Sequence, residues 1–182
     1  MYHCRLQFYL LNIPREIARL LRAEPPLERF THVFTESAGL DPALAGQADV
    51  VLAHLPGGDG LSALAPTLRE DAQLILLGGW EGLPAAALEL PQLAGLWPAS
   101  VTEDMVRLQF RQWQKGCKRD KDLWQAEQFL NACINGAPNL IWFKDKDGIH
   151  EKVNDSFCEV VGKTHRQVEG RTHAYIWDVE ED

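Results

Sequence analysis

The chain has 182 residues, 46% of them apolar and 24% charged, with a formal net charge of -8, which suits an ordinary globular fold with room for one domain and part of another. Neither half is basic: residues 1–100 carry 6 Lys/Arg against 11 Asp/Glu, and residues 101–182 carry 12 against 15, so no nucleic-acid partner is expected. No apolar run reaches the ~20 residues that span a bilayer, the opening MYHCRLQFYLLNIPREIARLL lacks a secretion-type cleavage site, and the isolated cysteines Cys4, Cys117, Cys133 and Cys158 read as reduced side chains of a cytoplasmic protein with no membrane partner.

The first hundred residues alternate strand and helix patterns. RLQFYLLN (5–12) is a short apolar strand, and PREIARLLRAE (14–24) is a helix opened by Pro14, with Ile17, Leu20 and Leu21 on one face. FTHVFTES (30–37) alternates in period two. DPALAGQ forms a short helix, and ADVVLAHL (48–55) is a continuous apolar strand of the kind buried on both faces. LSALAPTLRE is helical, DAQLILLGG (71–79) is a second fully apolar strand, residues 83–90 form another helix, and LAGLWPAS (93–100) is the last strand. Five βα units at this spacing imply an α/β fold with a five-stranded parallel sheet and helices on both faces.

The segment LAHLPGGDGLSAL, with Pro56, Asp59, Gly60 and Leu61, resembles the strand-three segment of phosphorelay receiver domains, where an acceptor aspartate precedes a Met-Pro-x-x-Asp-Gly-type loop. The resemblance covers residues 1–101 and implies a receiver-like, flavodoxin-like sheet. Members of that family need an acidic pair after strand one, the acceptor aspartate, a hydroxyl after strand four and a lysine after strand five. Carboxylates hold a divalent cation, and the other groups hold the phosphoryl oxygens. At these positions stand Asn12 and Ile13, His54, Gly78 and Trp97. All the elements are missing together, so the expectation is a degenerate receiver without phosphotransfer. A phosphohistidine at His54 would need a base or charge partner, and none is nearby in sequence. His54 reads instead as a neutral, hydrogen-bonded histidine at a strand end.

Residues 102–136 read as one long helix. Thr102, Glu103 and Asp104 favour its start and Pro138 closes it. At ~1.5 Å per residue it would extend about 50 Å. Val106, Phe110, Trp113 and Cys117 recur at coiled-coil spacing, KRDKD (118–122) interrupts them, and Leu123, Ala126, Leu130 and Cys133 resume out of phase. Two readings stay open. One is a dimeric signalling helix; the other is a receiver's last helix on its own sheet, kinked at Gly116 before a helix of the next domain. The first is preferred, and it implies a homodimer.

In residues 137–182, LIWFKDKDG and IHEKVN form a hairpin, Asn154 opens the helix DSFCEVVG with Phe157, Val160 and Val161 inward, and THRQVEG and RTHAYIWD follow. This order resembles the N-terminal half of a PAS domain, an α+β fold with a five-stranded antiparallel sheet, here incomplete. Trp142, Phe143, Phe157, Tyr175 and Trp177 are of a type to line a PAS core or pocket. The flavin-binding members of that family carry a cysteine motif that GRTHAYIW lacks, so no cofactor and no metal is assigned.

The wording WFKDKDGIHEKVNDSFCEVVGKTHRQVEGRTHAYIWD is similar to PAS segments of bacterial sensor diguanylate cyclases. The resemblance implies a non-catalytic sensory region that controls an output domain, in the same chain or in a partner, that makes cyclic di-GMP from GTP. The input region of a sensor histidine kinase and a stand-alone interaction module are the alternatives. No catalytic residue is assigned to residues 1–182.

Overall fold

Short apolar runs set between turn-forming residues become β1 (Cys4–Leu11), β2 (Phe30–Ser37), β3 (Val50–His54), β4 (Gln73–Leu77) and β5 (Leu93–Trp97). Between them lie α1 (Arg15–Ala23), α2 (Pro42–Gln47), α3 (Leu61–Leu64) and α4 (Ala85–Leu88). The computed structural model describes residues 2–58, 60–78, 83, 85–98, 102–177 and 179. Asp59 of the receiver-type loop lies outside them. The chain divides into two units, Met1–Arg119 and Asp120–Asp182.

In the first unit every strand pairing is parallel, in the order β2-β1-β3-β4-β5. Alternate side chains go to opposite faces of a strand, so the sheet builds two cores. Tyr9, Leu11, Val51, Ala53, Leu74 and Leu76 pack with Ala45 of α2, Leu61 and Leu64 of α3, and Ala87 of α4. Phe8, Leu10, Val50, Leu52, Ile75, Leu77 and Trp97 pack on the other side with Ala18, Leu20 and Leu21 of α1. The α2 helix starts where Asp41 Oδ1 accepts from the amides of Ala43 at 2.9 Å and Leu44 at 3.2 Å, with Pro42 in the first turn.

The second core is closed by α5 (Glu103–Asn135), one helix that runs through Gly116 without a break. Val106 and Phe110 are buried in it, and Trp113 packs against it. Trp113 Nε1 donates to Gln73 Oε1 at 2.7 Å. The Arg111 guanidinium donates to the carboxylate of Glu24 at the end of α1. This corrects the expected dimer seam: Val106, Phe110, Trp113 and Cys117 face the sheet of their own unit. A parallel sheet must be covered on both faces, and α5 shares one of them with α1. The division between the two units falls within α5, after Arg119. From Asp120 to Leu130 every residue except Gln125 is exposed, including Leu123 and Leu130.

The second unit contains β6 (Trp142–Lys144), β7 (His150–Val153), α6 (Asp155–Val161), α7 (His165–Val168) and α8 (His173–Trp177). β6 and β7 form an antiparallel hairpin. Its turn is held by Asp145 Oδ1, which accepts from the amides of Asp147 and Ile149 at 2.9 Å each, with Gly148 at φ +79°. The buried apolar core is small: Val153, Phe157, Val168 and Ile176 cluster, and Ile134 of α5 is buried as well.

One buried amide organises this unit. Asn154 Oδ1 caps α6 through the amide of Phe157 at 3.1 Å and also accepts from the amide of Ile141 at 3.0 Å. Its Nδ2 donates to the carbonyls of Ile134 at 3.0 Å, Asn139 at 2.8 Å and Ala137 at 3.4 Å. A helix end, a loop and a helix start thus converge on one side chain. Asn154→Ala removes a cap and strands buried carbonyls, an expected loss of about 2–4 kcal/mol. Asn154→Asp keeps the cap acceptor yet turns the donor edge against those carbonyls, so it should destabilise at least as much. Urea denaturation followed on Phe157 and Ile75 amides by NMR checks both variants: the second unit should unfold early while β4 keeps the wild-type midpoint.

Candidate functional site

In a sheet of this order the crevice lies beyond the carboxyl ends of β1 and β3, where the strand order reverses. Asn12 follows β1 at φ +54°, a left-handed conformation that asparagine tolerates. Its Nδ2 donates to the His54 carbonyl at 3.1 Å, so the crevice is bridged by an amide. His54 ends β3, paired with Leu77 of β4. Its ring faces Gly78, where an added Cβ would lie 3.6 Å from His54 Cδ2. Gly78 holds φ +143° and donates its amide to the Trp97 carbonyl at 3.0 Å. Trp97 is buried, and Ile13 packs on the same core.

The structure therefore brings Asn12, His54 and Gly78 together and places Ile13 and Trp97 in packing roles. Among the described residues, no group of three or more His, Cys, Asp or Glu side chains could hold a metal ion. Asp49 lies at the opposite, amino-terminal end of β3. There it accepts from the Gln7 amide at 2.8 Å and pairs with Arg69 at 3.0 Å. The expected hydrogen bond to the His54 ring does not form with any described residue; the backbone carbonyl makes the contact instead. Among the described residues, the crevice offers one imidazole and one amide, without the hard oxygen ligands that a divalent cation prefers.

In the second unit the five aromatic candidates do not line one pocket. Phe157 is core, 2% exposed, whereas Trp142, Phe143, Tyr175 and Trp177 are 49%, 47%, 53% and 41% exposed. Trp142 and Trp177 flank Phe157, with ring centroids 5.8 and 6.4 Å away. Tyr175 is covered by the cations of Arg171 and Lys163 at 5.1 and 5.8 Å. Sequence reasoning missed His150, which is fully buried. Its Nδ1 lies 3.1 Å from the Arg171 carbonyl, and its Nε2 has no partner. Burial, chiefly, holds its pKa below the ordinary histidine value. Burial, Asp155 and Glu169 push the Cys158 thiol up, away from a reactive thiolate.

Two tests bear on the crevice. Adding Mg²⁺ with acetyl phosphate or beryllofluoride should leave the amide spectrum of β1, β3 and β4 unchanged. His54→Asp alone should not confer phosphoryl uptake, because Asn12, Gly78 and Trp97 supply neither cation ligands nor phosphoryl contacts. Mass spectrometry for one added phosphoryl group reads the outcome.

No protein-family model matches the chain, and no curated protein matches its sequence.

Proposed function

We propose that this chain is the non-catalytic sensory and transmitting region of a bacterial signal-transduction protein. The first unit is a receiver-like module that has lost phosphotransfer, and the second is the N-terminal part of a PAS-type domain. The output is a C-terminal diguanylate cyclase, making cyclic di-GMP from GTP, whose two copies are brought together by dimerisation.

The observation that carries this reading is the asymmetry of the two-stranded sheet. The outer edge of β7 is occupied: the His150 amide donates to the Arg171 carbonyl at 2.9 Å, and the His150 carbonyl accepts from the Gly170 amide at 2.8 Å. The outer edge of β6 pairs with no described residue, and all three residues of β6 are exposed. A lone hairpin is marginal in water, and an open edge carrying Trp and Phe is a template for further strands. Extension of the sheet from β6 is what the PAS reading requires. The receiver reading is supported by the strand order together with α1 and α5 sharing one face.

With Val106 and Phe110 buried, dimerisation falls to the exposed stretch of α5, where Leu123, Trp124, Phe129 and Leu130 are all exposed. The test is to express the full native reading frame containing this chain and to measure cyclic di-GMP formation from GTP alongside light scattering. Turnover by a dimer, and at least tenfold weaker dimerisation with lower turnover in Leu123→Glu/Leu130→Glu, is the expected result. A frame without cyclase activity sinks the output assignment. A monomer at every concentration sinks the dimer.

A further inference from the structure

The seat of α5 on β1 and β2 is an aromatic cluster with a defect in it. Phe8 stacks on Phe34 at 4.7 Å and meets Phe110 at 5.8 Å and Trp113 at 5.4 Å, edge to face. His32 of β2 sits among these rings, 4.9 Å from Phe8 and 5.7 Å from Phe110. Its Nδ1 is buried without a partner, and so is Nε2 of Gln114 on α5, a residue only 3% exposed. Both side chains line one gap, closed by Leu6, Leu27, Phe30, Trp113 and Cys117, and it is too narrow to admit a water molecule. Each unmade buried hydrogen bond opposes packing. Hydrating both groups requires the gap to open, and α5 forms one wall of it through Trp113, Gln114 and Cys117.

We infer that His32 and Gln114 make the seat of α5 a proton-sensitive latch, in which protonation of His32 releases residues 106–117 from β1 and β2 while the sheet stays folded. This rests on the proposed reading of α5 as the element that transmits between units, but the latch itself belongs to the first unit.

The groups facing His32 give an imidazolium no counter-charge. From β1 come Leu6 and Phe8, from β2 Phe30 and Phe34, and from α5 Phe110, Trp113, Gln114 and Cys117. The thiol of Cys117 is the one titratable side chain among them. Desolvation accordingly lowers the His32 pKa, with no other cause contributing. The seated pKa lies below the ordinary value, so seating is at full strength above it and weakens as pH falls toward the seated value. For one proton the seated-to-released ratio changes by at most about tenfold per pH unit.

The test uses the whole chain and NMR between about pH 7.5 and 5, the range in which histidine titrates. The Trp113 indole N–H and the hydrogen exchange of α5 amides 106–117 report the seat; Val51 and Ile75 amides report the sheet. The expected result is loss of the Trp113 hydrogen bond and faster α5 exchange on acidification, with the sheet still protected. His32→Phe should abolish that pH dependence. Gln114→Leu should slow exchange at every pH and leave the pH dependence in place. A pH-invariant Trp113 signal overturns the latch, as does a transition that survives in His32→Phe or one that coincides with loss of protection in β3 and β4. An inactive output domain would leave these readings unaffected, so the two proposals fail separately.

Discussion

Everything in the first unit depends on one constraint: a parallel sheet must be kept from water on both faces. Strands such as VVLAH and QLILL have no polar face to offer solvent. Three short helices cover one side, but on the other α1 shares the core with Val106 and Phe110 of a further helix, α5. Phe110 and Val106 are therefore core residues first, whatever α5 does beyond Arg119. The same requirement fixes where α5 starts contributing to the exposed surface, and it brings His32 under a helix where its Nδ1 has no hydrogen-bond partner.

The alternation of fully apolar runs with Gly- and Pro-rich turns made the first unit legible. β2 occupies Phe30–Ser37, the span that period-two alternation marks out, and α1 falls within the segment opened by Pro14. The helix cap at Asn154 was equally readable from Asn followed by Asp-Ser-Phe. What periodicity cannot state is what lies against an apolar stripe. Val106-Phe110-Trp113-Cys117 has coiled-coil spacing and a sheet-facing location, and both need the same residues. For the same reason Trp142 and Phe143 read as core although they are exposed. The three carbonyls that Asn154 gathers from residues 134–139 carry no sequence signal, because backbone acceptors have none.

The crevice shows how the carboxyl edge of a parallel sheet can be tied together by backbone contacts and packing. The positions that the receiver resemblance singles out have structural tasks here. Asn12 turns the chain in a left-handed conformation and ties β1 to β3. Gly78 leaves room beside the His54 ring and bonds to β5. Trp97 fills the core beneath. The resemblance to a receiver site is spread over four strands, which is why it reads as a pattern although no single residue settles it.

The exposed aromatic strand of the second unit has a thermodynamic consequence. A few buried apolar side chains and one amide network leave little margin, so any segment that covered Trp142 and Phe143 would contribute directly to how much of the unit is folded. Its apparent melting point then becomes a titration curve for that segment. Once the covering partner exceeds its dissociation constant, each tenfold rise in its effective concentration adds about 1.4 kcal/mol to the folded form. Tethering on the same chain would set that concentration high and constant. A separate partner would make folding of this unit rise and fall with the partner's abundance.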